Sequence, residues 1–409
     1  MSRRRGIVWC CLLAFACVGA VLAPGPTSQP EAEASLEPVV SDRSSDPAPP
    51  SGSERVVREL PRPEARRLHV ALTGDVLVHT GVWQTAERMA ADRGMRAPYF
   101  TPMFAGIAPA VRAADLAVCH LETPVSPRGG PYLNYPVFAA PPEVVRGLAE
   151  TGYDGCTTAS NHAVDQGFTG LARTIRTLRS EGLFHAGTHA TETGSRGPTL
   201  VSVRGVRVGL LSVTYGTNGL PVAEPWSVDL IDVPRVLAQA RALRRAGAEV
   251  VMVAVHAGDE YSHVPNALQR EVFGRLTASP WVDFVYGHHA HVVQPWARLH
   301  DKWVVYGLGN LVAEQLTELP DTYRSMLAEI TFAEQPDGTF RAVRPRYRPL
   351  LITRPDDPGG THVLDAVAAL ADPRTPAVLR SRLRDAVREV DAVASAPGVT
   401  SPGSRGAAQ

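Results

Sequence analysis

Between positions 68 and 308 the chain alternates short, nearly continuous apolar runs with longer stretches in which apolar residues recur every three to four positions. The runs are LHVALTG (68 to 74), DLAVCHL (115 to 121), GCTTAS (155 to 160), RVGLLSV (207 to 213), EVVMVAV (249 to 255), VDFVYG (282 to 287) and KWVVYGL (302 to 308). Continuous β-branched runs of this length predict strands buried on both faces. PEVVRGLAETG, FTGLARTIRTLRSEG, VPRVLAQARALRRAG and NALQREVFGRLTA carry the helical period instead. That alternation predicts an α/β layered domain. A more polar stretch, 325 to 354, turns on Asp337-Gly338 and predicts a hairpin, and a helical segment follows from about 361 to 393.

The pattern fades at both ends. Residues 24 to 67 are rich in Pro, Ser, Glu, Ala and Arg and predict a disordered linker, because they bury too little apolar surface to offset the cost of ordering. Residues 395 to 409 form a second such tail. Ahead of the linker, Arg3, Arg4 and Arg5 precede an apolar stretch from Gly6 to Ala23. This is an export signal, slightly short of the ~20 residues of a spanning helix, so a cleaved signal peptide and a retained anchor over 1 to 23 both stay open. Either way the body is expected to be exported, secreted or anchored to the outer face of the cytoplasmic membrane. The expected main domain covers 68 to 350, with a C-terminal helical extension over 351 to 394.

Composition adds two constraints. Lys plus Arg and Asp plus Glu number 41 each, so the basic footprint of a nucleic-acid binder is missing. Three of the five cysteines lie in the export segment; Cys119 and Cys156 each sit in a predicted buried strand and are expected as free thiols.

The residues that follow the predicted strands concentrate chemistry. Asp75 follows the first, Glu122 ends the second, Asn161 and His162 follow the third, His256 the fifth, and His288, His289 and His291 the sixth. Singly each has an ordinary explanation: a turn aspartate, a loop carboxylate, a capping amide, hydrogen-bonded structural histidines. Together they are better explained by one site at the C-terminal edge of an open α/β sheet, where such sheets bind ligands. Nitrogen and oxygen donors without thiolate suit a divalent transition metal, Mn, Zn or Fe. More than four donors point to two ions ~3.5 to 4 Å apart, sharing a carboxylate and a bridging hydroxide nucleophile.

Six motifs, in order, resemble the capsule-synthesis CapA family: GDVL (74 to 77), HLETPVS (120 to 126), the run 135 to 188 containing ASNHAVDQG, HAGDEY (256 to 261), GHHAHVVQP (287 to 295) and YGLGNLV (306 to 312). The resemblance implies a metallophosphoesterase-like two-sheet α/β sandwich flanked by helices, and a role in bacterial poly-γ-glutamate synthesis and export. It implies Asp75, Asn161, His256, His289 and His291 as metal ligands and Glu122 as the bridging carboxylate. His162 matches the histidine that contacts substrate or protonates the leaving group, with Asp165 either orienting it or capping the next helix. Glu260, Tyr261, Asn310 and His288 are candidate substrate contacts; Asn218 could act likewise, although for Tyr215 and Asn218 stabilising a loop is the favoured reading. Extended backbone would put His289 and His291 on one face and His288 on the other, in agreement with the family's Gly-x-His-x-His.

The chain departs from that pattern in four places. Leu77 stands where phosphoesterases of this fold usually carry the second ligand of Asp-x-His, with His79 out of register. His120 replaces an Asn and is expected as a core histidine, although it shares a face with Glu122 and could supply the missing imidazole. Ala139 replaces an Arg, and Ala257 replaces a Trp in a way expected to open space beside the site. The resulting expectation is a metal-dependent envelope hydrolase acting on an ester, amide or phosphoester bond of an anionic polymer such as poly-γ-glutamate. Two alternatives stay open: a non-catalytic accessory subunit partnering a membrane synthase, and a phosphodiesterase unrelated to capsule.

Overall fold

In the computed structural model, strands β1 (Arg67–Val76), β2 (Leu116–Leu121), β3 (Gly155–Thr157) and β4 (Phe184–Ala186) run parallel as one half of a sheet. A second sheet is built from β5 (Thr199–Val203), β6 (Val206–Thr214), β7 (Val250–His256), β8 (Phe284–His288), β9 (Val293–Leu299) and β10 (Lys302–Leu308). The chain then returns to the first sheet with β11 (Asn310–Val312), β12 (Arg324–Glu334), β13 (Phe340–Ile352) and β14 (Val363–Asp365). The first sheet has the order β14-β13-β12-β1-β2-β3-β4, with β11 alongside β1; the second has the order β5-β6-β7-β8-β10-β9. The structure describes residues 65 to 197 and 199 to 401. The expected export signal, all but the last residues of the expected linker and the end of the expected C-terminal tail lie outside the described residues. Among the described residues no helix is long and apolar enough to cross a membrane.

The helices are α1 (Thr80–Ala91), α2 (Ala108–Ala113), α3 (Glu143–Thr151), α4 (Gly167–Ser180), α5 (Glu192–Ser195), α6 (Val233–Arg245), α7 (Ala267–Ala278), α8 (Ala366–Ala371) and α9 (Ala377–Ala394). Alternate strand residues explain the layering. Leu68, Val70 and Leu72 of β1 meet Val250, Met252 and Ala254 of β7 and Phe284 and Tyr286 of β8 between the sheets. Ala71 and Ala117 face the other way, onto α1, α2 and α3. Val251, Val253 and Val255 likewise face α6 and α7. Strands covered on both sides need apolar residues at every position, which is why their sequences read as unbroken runs. The expected two-sheet α/β sandwich flanked by helices is what the chain forms.

Two regions differ from expectation. The segment read as a helical extension opens with β14, which pairs with β13, and α9 buries Val390 and Ala394 against the inter-sheet core. Cys119 and Cys156 are not free thiols but a disulfide. They stand directly opposite each other on β2 and β3, with Cα atoms 4.4 Å apart, within bridging range. Register between parallel strands is invisible in a sequence where both residues simply look apolar.

Gly74 decides how β1 meets the returning chain. A Cβ there would fall 1.8 Å from the Gly309 carbonyl oxygen, the same oxygen that accepts from Asp75 N at 3.0 Å. Gly74→Ala should therefore destabilise the fold by about 1–3 kcal/mol, read as a lower urea midpoint; an unchanged midpoint would contradict this packing. For the disulfide, unreduced peptide mapping should recover Cys119 and Cys156 as one linked pair, and replacing both by Ala should cost about 2–4 kcal/mol. Recovery of two free thiols would refute the bridge.

Candidate metal centre

The parity that builds the inter-sheet core also delivers the site. Leu116 and Val118 of β2 point between the sheets, so His120 does too. The even positions of β7 lead in the same way to His256, and Phe284 and Tyr286 of β8 lead to His288. The three imidazoles stack: His120 lies 4.0 Å from His288 and 4.9 Å from His256 between ring centroids. All three close the C-terminal ends of parallel strands.

Asp75 links the two sheets. Its Oδ1 accepts from His288 Nδ1 at 2.7 Å, and its Oδ2 from the backbone N–H of His289 at 3.0 Å. Burial pushes the Asp75 carboxyl up, but the hydrogen bonds and charge of His288, then of His291, outweigh it and hold the group well below the usual carboxylate range. The expectation that His288 points away is thus corrected. β8 continues through His288, which follows the inward parity of Phe284 and Tyr286. His289 and His291 lie beyond the strand with φ of 86° and 57°, so extended-chain alternation does not govern them. They enter the site through left-handed backbone, a conformation that costs energy outside glycine and gathers at functional sites.

Glu122 is the most exceptional group. It is buried, and neither carboxylate oxygen has a hydrogen-bond partner among the described residues. Its Oε1 stands 3.8 Å from both His256 Nε2 and His291 Nε2. Burial raises the Glu122 carboxyl well above its ordinary range. His256 Nε2 lies 2.8 Å from Asn161 Oδ1. Asn161 Nδ2 donates to Asn218 Oδ1 at 3.2 Å, and the same oxygen accepts from Tyr215 Oη at 3.2 Å. The Tyr215 ring also sits 4.7 Å from that of His289. Tyr215 and Asn218 therefore stand in the site, against the favoured loop reading, and only the fold reveals it.

His162 and Asp165 form a buried pair, with Nδ1 to Oδ2 at 2.8 Å. The same Asp165 oxygen accepts from Phe138 N at 2.7 Å. Its carboxylate is thus occupied with His162 and caps no helix; α4 is preceded by Gln166 instead. Asn310 is not a substrate contact. It is fully buried, accepts from His291 Nδ1 at 2.9 Å and donates to the carbonyls of His291 and Thr322. Its role is to orient His291 so that Nε2 faces Glu122. Glu260 and Tyr261 are exposed at the mouth, with the Tyr261 ring 6.2 Å from that of His291. Ala257 opens no space at the site, because it is buried on the α6–α7 side. Leu77 packs with Phe138 and Ala313, and His79 lies with Nδ1 3.2 Å from Glu314 N.

The donor set fits divalent cations. One ligand atom each from Asp75, His120 and His256 lies within 4.8 Å of the others, and so does one from each of Glu122, His289 and His291. His120 therefore stands in the site rather than in the apolar core. Burial lowers His120 and His256 well below the usual imidazole range and His289 to about 3, which leaves them in the neutral form that ligation requires. His289 Nδ1 and His288 Nε2 are buried without partners. His291 is the exception to the neutral imidazoles: burial lowers it, but the charges of Glu122 and Asp75 outweigh burial and push it up to about 10, so without metal its proton is what faces the donorless Glu122 carboxylate, and a bound cation would take over that place.

Comparison with known proteins identifies the family. Capsule biosynthesis protein CapA of Bacillus anthracis is 24% identical over 263 residues, 62% of this chain and 61% of that one. PGA biosynthesis protein CapA of Bacillus subtilis is 25% identical over 256 residues, 61% of this chain and 64% of that one. The chain thus spans under two thirds of the length of these curated relatives. Among solved structures, the calcineurin-like phosphoesterase YfkN of Bacillus subtilis aligns with a TM-score of 0.39 at 14% identity, over 80% of this chain and 99% of that one. A likeness that slight bears on neither activity nor substrate. The family model described as bacterial capsule synthesis protein PGA_cap matches residues 69–315. That span holds every side chain of the centre, from Asp75 to Asn310, and the chain belongs to the PGA_cap family of bacterial capsule synthesis proteins.

Proposed function

We propose that this protein is an exported, metal-dependent hydrolase of the bacterial envelope, cleaving an ester, amide or phosphoester bond in an anionic polymer of the poly-γ-glutamate kind. The observation that carries the reading is the Glu122 carboxylate, buried with both oxygens lacking donors and faced by the Nε2 atoms of His256 and His291. Asp75, Glu122, Asn161, His256, His289 and His291 would hold a pair of Mn, Zn or Fe ions. Bound there, the ions would polarise the scissile group and lower the pKa of a water.

The chain's own residues supply the rest. His162 has Nδ1 engaged by Asp165, so Nε2 is the atom from which it passes a proton to the leaving group. Asp165 is fixed in turn by Phe138 N. Tyr261 and Tyr215, 40% and 43% exposed, stand at the mouth with Glu260 and offer a surface along which a polymer can lie. Relatives named for capsule and PGA biosynthesis support the polymer class. The apolar export signal supports a place outside the cytoplasmic membrane, anchored or secreted, beside a membrane synthase.

A second reading, a non-catalytic accessory subunit that handles polymer, is favoured by one observation: the first-motif position is Leu77, packed among carbon atoms where an imidazole ligand is usual. Metal analysis separates the two. The enzyme reading expects at least one tightly bound transition metal per chain and hydrolysis of model esters, amides or phosphodiesters with Mn or Zn. Chelation should lower the thermal midpoint, since ligand at 100 times Kd contributes about 2.7 kcal/mol. Less than one ion per chain with no hydrolysis of any model bond would leave only the accessory reading. His291→Ala should lose metal, whereas His162→Ala should keep it and lose about 10²-fold or more in turnover. Equal metal loss in both variants would overturn the ligand assignment.

A further inference from the structure

We infer that His120 is a positioning residue of the metal centre, one that fixes His256 in the tautomer presenting Nε2 to a cation. The inference rests on the metal-dependent reading above. Both His120 ring nitrogens are engaged: Nδ1 lies 2.9 Å from Thr157 Oγ1 and Nε2 lies 2.9 Å from His256 Nδ1. The ring is fully buried and held flat against His288, with 14° between their planes. Its proximity to Asp75 and His256 also suits a ligand. As a ligand through Nε2, however, His120 would give up its bond to His256 and leave His256 Nδ1 unpaired in the interior, which is costly.

Proton bookkeeping decides the role. For His256 to offer a lone pair at Nε2, its Nδ1 must carry the hydrogen. That N–H donates to His120 Nε2, which places the His120 hydrogen on Nδ1, where it donates to Thr157 Oγ1. The Thr157 hydroxyl then donates to the Cys119 carbonyl at 3.3 Å. In the opposite sense His256 Nε2–H donates to Asn161 Oδ1 at 2.8 Å, His120 Nε2–H donates to His256 Nδ1, and Thr157 donates to His120 Nδ1. Both senses hold the same number of protons and leave no donor unpaired, but the first sets the bare His256 Nε2 against the acceptor Asn161 Oδ1 at 2.8 Å; the metal-free chain therefore favours the second, and a cation between those two atoms selects the first. His120 and Thr157 stand opposite each other one residue after the Cys119–Cys156 bridge, which clamps their strands in register. Asn310 fixes His291 through Nδ1 in the same manner, so two metal-facing imidazoles each have a dedicated orienter.

The test uses the full-length protein labelled with ¹⁵N-histidine, without metal and then with Zn. Long-range ¹H–¹⁵N correlation should show His256 and His120 both protonated at Nδ1 in the Zn-loaded state. Protonation of His120 at Nε2 in that state would overturn the relay. In competition titrations His120→Leu should weaken Zn binding by about 10–100-fold, with Zn ligand number by X-ray absorption unchanged. His120→Gln, whose amide both donates and accepts, should recover most of that loss. Thr157→Val, which breaks the far end of the relay, should weaken binding less than His120→Leu. A Zn shell one nitrogen short in His120→Leu would make His120 a ligand and sink the proposal, as would affinity within about threefold of wild type. Wild-type protein that takes up no Zn would fail the metal reading and the relay together, whereas Zn uptake with the wrong tautomer would fail the relay alone.

Discussion

The Asp75 carboxylate, gripped by His288 and by the backbone of His289, is the interaction on which the site depends. Each sheet is layered by contacts among Val, Leu, Ile and Phe, and such contacts are strong but non-directional. They bring the sheets face to face without specifying how the C-terminal edges align. Asp75 belongs to β1 in the first sheet, while His288 ends β8 in the second. Two short charge-assisted bonds between them are directional, and they set the spacing across which Glu122 and Asn161, from the first sheet's side, meet His256 and His291 from the other. Gly74 is part of the same constraint, because it lets Gly309 approach and pairs Asp75 with Asn310.

That alignment carries a cost concentrated on Glu122. A buried carboxylate without donors destabilises the folded chain unless it is protonated or meets a cation. The site therefore favours order in the presence of metal over stability in its absence. The stacked His120, His256 and His288 rings are fixed in different ways: burial lowers His120 and His256 well below the usual imidazole range, Asp75 ties His288, and the disulfide pins the strands beneath.

What the sequence disclosed and what it hid follow from the same facts. Strands buried on both faces announce themselves as apolar runs, so β1, β2, β7, β8 and β10 were legible, as were α3, α4, α6 and α7 and the hairpin at Asp337-Gly338. The short strands β4 and β11 carry too few residues for any period to register, and β5 and β9 are only partly covered. Unbroken apolarity also conceals which residues face inward. Facing for His120 and His288 follows only once the inter-sheet partners of Val118 and Tyr286 are known. The left-handed turns at His289 and His291 have no sequence signal, since neither position is Gly or Asn. The partnerships of Tyr215 and Asn218 with Asn161, and of Asn310 with His291, join residues from 19 to 57 positions apart, and no local pattern records them.

Leu77 bears most on whether the centre is catalytic. A site that had simply lost a ligand would leave a polar hollow at that position. Leu77 is instead buried against Phe138 and Ala313. Phe138 presents its ring edge-on to His162 at 4.8 Å, and its backbone N–H holds the Asp165 oxygen that orients the same histidine. The apolar side chain thus supports the residue that would move the proton. Leu77 is therefore part of the packing that fixes the His162–Asp165 pair beside the centre, while the candidate donors come from Asp75 and the ends of the neighbouring strands.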